Sequence, residues 1–400
     1  MELHNGSLYW PTTFSHTERK EENPPADERY DAVVIGAGMS GVLCAYTLVE
    51  AGLKVALVDK REAGAGSSSA NTGLLQYSND IMLHELIDQI GENRAVHFYK
   101  LCLEALDDLE EAADSIPFNV YFKRRNSIYF ASKEEDASKL LDEYEALKKH
   151  GFPVNFWTTE ALTEHMTFSK PAALVTQRDA EVNPYRFVMG LLKNLKDQGA
   201  RLFEHTEVTS CVEEEDCIIL ESSRGSLTAK HAVYCTGYEA SGAGEYVSAK
   251  INRSFAIATE PIDDLSSWWE RALIWETARP YFYMRTTDDN RIIAGGLDEE
   301  IPQAPESREI IEKYGKKISS EIKKLFPGLE ISISHAWGAS FAESMDNLPY
   351  IGRVPGKEKT YCLLGYGGNG TVYSMLGAKI IADLIQGNVT EGADIVKLER

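Results

Sequence analysis

Apolar positions are thinly scattered over the first thirty residues, and then the pattern changes abruptly. "YDAVVIG" (30–36) is a continuous, β-branched run of the kind a parallel strand buried on both faces requires. "SGVLCAYTLVEAG" carries apolar residues at helical spacing and stops at Gly52, and "KVALVDK" is a second run of the buried-strand type. The three predict a β-α-β unit. The segment before them is polar, contains Pro24 and Pro25, and reads as an arm lying on the surface.

Further along, residues 133–149 and 184–198 have the spacing of amphipathic helices, and "SIYFAS" (127–132) and "FAIATEPI" (255–262) that of strands. From residue 200 to 237 short strands alternate with turns, and the acidic run 213–216 suits a solvated hairpin tip. "PYFYMRTTDDNRIIAGG" predicts a hairpin turning at Asp288, Asp289 and Asn290, and a helix over 310–325 is stopped by Pro327 and Gly328. "TYCLLGYGGNGTVYSMLGAKIIADLIQG" runs strand, glycine-rich turn, helix. No repeat or low-complexity tract interrupts this mixture of a nucleotide-type α/β half and a strand-rich half.

Composition narrows the partners. At 400 residues the chain suits two domains of roughly 150–200 residues. A net charge of −21 disfavours nucleic acid and anionic membrane surfaces, so small-molecule substrates are expected, and no apolar run approaches the ~18 residues of a membrane span. The six cysteines form no CxxC pair and no metal-ligand cluster; neither zinc nor a disulfide framework is indicated, and a cytoplasmic location fits, with no signal or transit pattern at the start.

The chemistry begins at Gly36-x-Gly38-x-x-Gly41, set between the first strand and its helix. The first glycine allows the tight turn, the second lets backbone approach a pyrophosphate, and the third lets helix and strand pack closely, while the helix start offers free amides to phosphate. Asp59 closes the second strand, where a carboxylate accepts hydrogen bonds from ribose hydroxyls. This unit does not separate NAD from FAD.

Later segments bear on that choice, and with them the chain resembles the D-amino-acid oxidase and glycine oxidase superfamily of FAD-dependent oxidoreductases, in its gamma-glutamylputrescine oxidase-like branch. The resemblance runs from about Ser7 to Gly387. "GAGSSSANTGLLQ" (64–76) matches the family's small-residue segment. Its Ser67, Ser68 and Ser69 offer hydroxyls and open amides to pyrophosphate, and Gly73 and Leu74 let backbone pass beside a flat ring, although a flexible serine linker is the competing reading. The resemblance adds Met39, Ser40, Lys60, Asn71 and Thr72 to the cofactor site, together with the Val208 backbone at adenine, Thr236 and Gly237 at a strand end, and Gly338 beside Trp337. In "GYGGNGTVYSMLGAKIIADLI", Gly367, Gly368 and Gly370 clear room for a ring, and the helix from Thr371 points its positive end there, which favours a reduced flavin. Asn369 lies among them, with turn formation as its other explanation. The implied cofactor is FAD. The comparable stretch "ASFAES" has no cysteine for attachment, so it is expected to be noncovalent, and Cys362 reads as core.

The implied fold is α/β, a two-domain α+β arrangement: a Rossmann-like FAD-binding domain over 28–108, 175–245 and 335–400, a strand-rich substrate (cap) domain over 109–174 and 246–334, and an arm over 1–27. In "PYFYMR" the period of two puts Tyr281, Tyr283 and Arg285 on one face. In relatives that oxidise amino acids the arginine at this position holds the substrate carboxylate, which would make these three the substrate-positioning residues; pairing of Arg285 with an acid is the alternative. His335 reads as structural. The implied reaction is hydride transfer from an amine or amino acid to flavin N5, giving an imine that hydrolyses, with oxygen as acceptor and hydrogen peroxide as product. A dehydrogenase subunit with another electron acceptor, or a silent flavin-binding redox sensor, would use the same residues. An oligomer or an electron-acceptor partner is left open.

Overall fold

Two sheets share the chain, and the first is built around the predicted β-α-β unit. The computed structural model describes residues 2–15, 22–25, 27–239 and 246–400; residues 16–21 and 26 of the expected arm, and 240–245, lie outside the described residues. In the first sheet Arg29–Ile35 pairs in parallel with Val55–Val58 on one side and with Gly225–Tyr234 on the other, and Thr360–Leu364 extends the parallel order. Val33, Val34 and Val58 are buried, as runs without polar alternation must be when helices cover both faces. Arg201–Phe203 closes one end, Tyr350–Arg353 the other, and the hairpin Val208–Glu213 with Ile218–Ser222 hangs from Gly225–Tyr234.

Helices Met39–Glu50 and Gly370–Gln386 pack together over this sheet. Small residues set the approach: a Cβ on Gly41 would stand 1.7 Å from the Gly36 carbonyl oxygen, and one on Gly377 would lie 2.9 Å from the Ile351 side chain. The long helix Glu92–Asp114, which no sequence motif announced, covers the same layer, with Phe98 against Tyr373.

The second sheet is largely antiparallel and runs His4–Gly6, Ile333–Ser344, Ala249–Thr259, Ile292–Glu299, Phe282–Thr286, Leu273–Glu276, Lys123–Phe130, Ala172–Glu181, Leu74–Leu75, with Val154–Thr158 attached to Ala172–Glu181. The predicted hairpin is its Phe282–Thr286 and Ile292–Glu299 pair, and the helix Arg308–Leu325 covers Ile257 with Ile318 and Ile322. Its strands come from both ends of the chain as well as the middle: Ala172–Glu181 and Ile333–Ser344 both belong to it.

The arm lies on the surface at residues such as Glu22, Asn23 and Asp27, but its first part is drawn into the fold. His4–Gly6 pairs antiparallel with Ile333–Ser344, and Tyr9 and Trp10 are buried in the main core. Leu3, Tyr9 and Trp10 have more apolar area than a solvated arm would leave in water, and each buried aromatic of this kind is worth about 2 kcal/mol or more. No described helix is long and apolar enough to cross a membrane.

The contact beneath the first turn is the most confined in this layer. Gly41→Ala is expected to lower unfolding free energy by about 3 kcal/mol, since the new methyl meets backbone that cannot swing aside. Urea unfolding of the variant and the parent checks this.

Candidate functional site

Between the sheets lies a cavity of about 450 Å³ whose wall takes residues from both. At one end is the glycine turn. Gly36 sits at φ +107°, a conformation side chains oppose, and the helix Met39–Glu50 starts from Gly38 without a side-chain cap; the Met39 amide donates to Ser68 Oγ at 2.8 Å. Asp59 accepts from the amides of Ala37 (2.7 Å) and Arg61 (2.8 Å), while burial raises its pKa. Beyond it Glu239 meets Lys60 at 3.1 Å and Arg61 at 2.9 Å. Burial alone would push that carboxyl up, but the two cations hold it down at about 2.

The inner wall is the segment 70–73, and its four successive carbonyls are each taken by a different donor. Trp337 Nε1 donates to Ala70 O (3.0 Å), Trp10 Nε1 to Asn71 O (2.5 Å), Arg285 Nε to Thr72 O (2.8 Å) and the Val182 amide to Gly73 O (3.1 Å). Facing it, the turn 367–370 leads into Gly370–Gln386, a helix with no side-chain cap. Asn369 fixes this turn by donating to Gln76 O (2.5 Å) and Asn79 Oδ1 (3.1 Å), and Asp80 Oδ2 accepts from the Gly368 amide at 2.7 Å.

At the other end stand Tyr281 and Tyr283, ring centroids 5.7 Å apart, with Trp275, Ser254, Ser340 and Phe341. Burial, then the charges of Asp80 and Asp298, push the Tyr281 phenol far up, and burial does the same to Tyr283, so both stay neutral. Burial also pushes Asp298 up to about 6. Asp80 adds to this, and Ser254 and Arg279 oppose it.

Most of the expected cofactor residues meet on this wall: Gly36, Gly38, Met39, Ser40, Asp59, Lys60, Ser67, Ser68, Asn71, Thr72, Leu74, Val208, Thr236, Gly237, Gly367, Gly368, Asn369, Gly370 and Thr371. Four others lie behind it. Gly41 is under its helix, Ser69 Oγ turns back to Gly66 O (2.8 Å), Gly73 abuts Val182 O and Arg285, and Gly338 abuts Pro305. Arg285, expected at the substrate with Tyr281 and Tyr283, is also behind it. The guanidinium is 2% exposed, gives Nη2 to Val182 O (2.7 Å), meets Glu181 at 3.4 Å and lies over Trp10. His335 sits against Tyr9, hydrogen-bonded to Ser334, and Cys362 is buried mid-strand.

Sequence reasoning missed Arg61, Glu239, Asp80, Trp275 and Asp298 on the wall. The basic doublet Lys60-Arg61 beside Asp59 was a visible signal. The isolated aspartates offered none.

The wall suits a dinucleotide with a flat ring. Thr236 Oγ1 is buried without a partner, two helices start uncapped on it, and a Cβ at Gly38 or Gly368 would come within about 3.0 Å of Ser68 Oγ or the Asp80 carboxylate.

Comparison with known proteins agrees. The model of the family described as FAD dependent oxidoreductase matches residues 31–384. Glycine oxidase of Bacillus licheniformis is 26% identical over 93% of this chain and 98% of its own length. Gamma-glutamylputrescine oxidoreductase of Escherichia coli is 24% identical over 90% of this chain and 84% of its own length. The crystal structure of glycine oxidase from Geobacillus kaustophilus shares the fold at a TM-score of 0.79 and 20% identity, covering 93% of this chain and 99% of that one.

Two outcomes follow from the geometry. Arg285→Lys, which cannot reach Thr72, Val182 and Glu181 together, is expected to cost about 3 kcal/mol in urea unfolding; an arginine at the substrate would leave stability unchanged and raise KM instead. Asp298 has a higher pKa folded than unfolded, so the folded protein holds its proton more tightly. Stability on its account is full at low pH and is lost as pH rises from the unfolded carboxylate range through about 6. Asp298→Asn should therefore unfold with about 2 kcal/mol more free energy than the parent near pH 8, and the gap should close towards pH 4.

Proposed function

The chain belongs to the family of FAD-dependent oxidoreductases, and from that premise we propose that it oxidises a small amine or amino acid to an imine, with molecular oxygen as the final electron acceptor and hydrogen peroxide as the second product. The observation that carries this reading is the single cavity in which the glycine turn at Gly36, the carbonyl-anchored segment 70–73, the turn 367–370 and the Tyr281–Tyr283 wall all meet. FAD bound there supplies a two-electron acceptor for the hydrogen that leaves the substrate carbon with its bonding electrons.

The protein's share is binding and orientation. Asp59 would hold ribose hydroxyls; Ser67, Ser68 and the start of Met39–Glu50 would face the pyrophosphate; Thr236 and Val208 would border the adenosine side. The uncapped start of Gly370–Gln386 would favour negative charge on a flat ring placed against the turn 367–370. Tyr281, Tyr283 and Trp275 wall off the reacting carbon from water, and the neutral phenols donate hydrogen bonds without competing for the amine's proton. The substrate nitrogen must arrive or become unprotonated, because its lone pair forms the C=N bond as the C–H bond breaks. Water then hydrolyses the imine to a carbonyl compound and ammonia or, from a secondary amine, a primary amine. Arg285 positions the backbone at Thr72 and Gly73 rather than the substrate. In this reading the strand-rich part, over about 109–174 and 246–334, supplies the substrate side, and the missing cysteine in 339–344 supports noncovalent rather than cysteine-linked FAD. Six unpaired cysteines suit a reducing compartment such as the cytoplasm.

The purified protein should show a flavin visible band that bleaches anaerobically with a primary or secondary amine substrate. On admission of air the band should return with about one equivalent of peroxide per turnover, read by a peroxidase-coupled dye. A band that bleaches but returns only with a quinone would replace oxygen by another acceptor. A band that no amine or amino acid bleaches would remove the proposal.

A further inference from the structure

We propose that the substrate end of the cavity is built for an amine carrying a second positive group, a diamine or a guanidino-amine, gripped by Asp298 and Asp80. The inference rests on the amine-oxidation reading above and names the substrate class for it.

Charge is divided sharply along the wall. Among the described residues its only cations are Lys60 and Arg61, and both are engaged with Glu239 at the far end. At the end formed by Tyr281, Tyr283 and Trp275, the charged wall residues are Asp80 and Asp298. They are close enough to feel one another, since the charge of Asp80 acts on both Asp298 and Tyr281. A simple amino acid placed there would bring its carboxylate against two carboxylates with no cation on the wall to offset them.

Independent observations show that this end lacks a partner. Asp298 Oδ1 is buried and receives no hydrogen bond. On the same wall the hydroxyl of Ser340, a residue 3% exposed, is also unpartnered and can accept from a cationic group, while the unpartnered Trp275 indole N–H can only donate, as to the lone pair of the unprotonated reacting amine. Buried polar atoms are rarely left unsatisfied in a folded protein, and such a set beside a cavity marks a place that a polar ligand completes. The ring of Tyr283 adds a face that attracts cations, as Arg279 over the Tyr281 ring already shows for its neighbour.

Two arginines could have reversed this picture. Arg285 is enclosed behind the segment 70–73. Arg279 is exposed off the wall, over Tyr281 at 5.1 Å, with Nη1 donating to the carbonyls of Glu276, Thr277 and Ala278. Its charge reaches Asp80, Asp298 and Tyr281 and its guanidinium is also bonded to Tyr129, so it offsets part of the acidic charge without itself lining the cavity.

The test mixes the FAD-loaded protein anaerobically with cadaverine, agmatine, n-pentylamine, glycine and D-alanine and follows the visible flavin band. Cadaverine or agmatine should bleach it with half-saturation at least about tenfold below n-pentylamine, which has the same chain length as cadaverine without the second charge. In Asp298→Asn that advantage should shrink towards one, and Asp80→Asn should reduce it in the same direction; the flavin spectrum of each variant shows that FAD is retained. Equal saturation by cadaverine and n-pentylamine overturns the inference. So does bleaching by glycine or D-alanine with both dications inert, an outcome that leaves amine and amino-acid oxidation standing. Failure of all five to bleach the band overturns the inference and counts against the functional reading with it.

Discussion

The cavity depends on how four consecutive carbonyls are held. Residues 70–73 carry no regular ladder of their own, and an unpaired buried carbonyl costs about 1–3 kcal/mol, so the segment keeps its course only because donors reach it from elsewhere. Those donors are far apart in sequence: Trp10 from the first strand region, Val182 after Ala172–Glu181, Arg285 from the predicted hairpin and Trp337 from Ile333–Ser344. All but the Val182 amide are side chains whose rings or guanidinium are themselves packed, Arg285 over the Trp10 ring. Gly73 is required at the crossing, at φ +74°, because a Cβ would meet Val182 O at 2.3 Å and Arg285 at 2.7 Å. The inner wall is thus a product of the whole fold rather than of the nucleotide-binding half.

Electrostatics divides the same cavity into two ends of different character. Near Asp59 every charge is answered: backbone amides meet the carboxylate, and Lys60 and Arg61 meet Glu239. Near Tyr281 the carboxylate of Asp298 is raised by burial and by its neighbour, and one of its oxygens has no partner. A group in that state destabilises the empty protein at neutral pH, and local costs of this kind cluster where a ligand later relieves them. The first end can be rigid before anything binds. The second is completed by what enters it.

Much of the fold was legible because it rests on local pattern. The runs 30–36 and 54–60 became adjacent parallel strands, the glycine spacing at Gly36 became the turn it implied, and the glycines before Thr371 became the opposing turn. The arm was misread because its informative residues, Leu3, Tyr9 and Trp10, are scattered among polar ones and become buried only against strands from the far end of the chain. Asp298 was invisible for a related reason. Gly296 and Leu297 both have positive φ, and pairing with Ala249–Thr259 slips there. A bulge of this kind re-aims the side chains that follow it, so counting by twos from Ile292 gives no guide to where Asp298 faces.

Arg285 shows the limit of periodicity from the other side. Counting by twos grouped it with Tyr283 on one face of Phe282–Thr286 and with Tyr281 just before it, but a face runs the length of a strand whereas the cavity does not. The first two side chains of that face meet open space; the third runs into the segment 70–73 and is absorbed by its carbonyls and by Glu181. Depth along a strand is decided by what crosses it, and here the crossing segment arrives from two hundred residues away in sequence, with Thr72 separated from Arg285 by 213 positions. The same arginine that would have pointed to a carboxylate substrate therefore fixes the backbone of the cofactor wall. With it withdrawn, the charge that a substrate meets is set by Asp80 and Asp298.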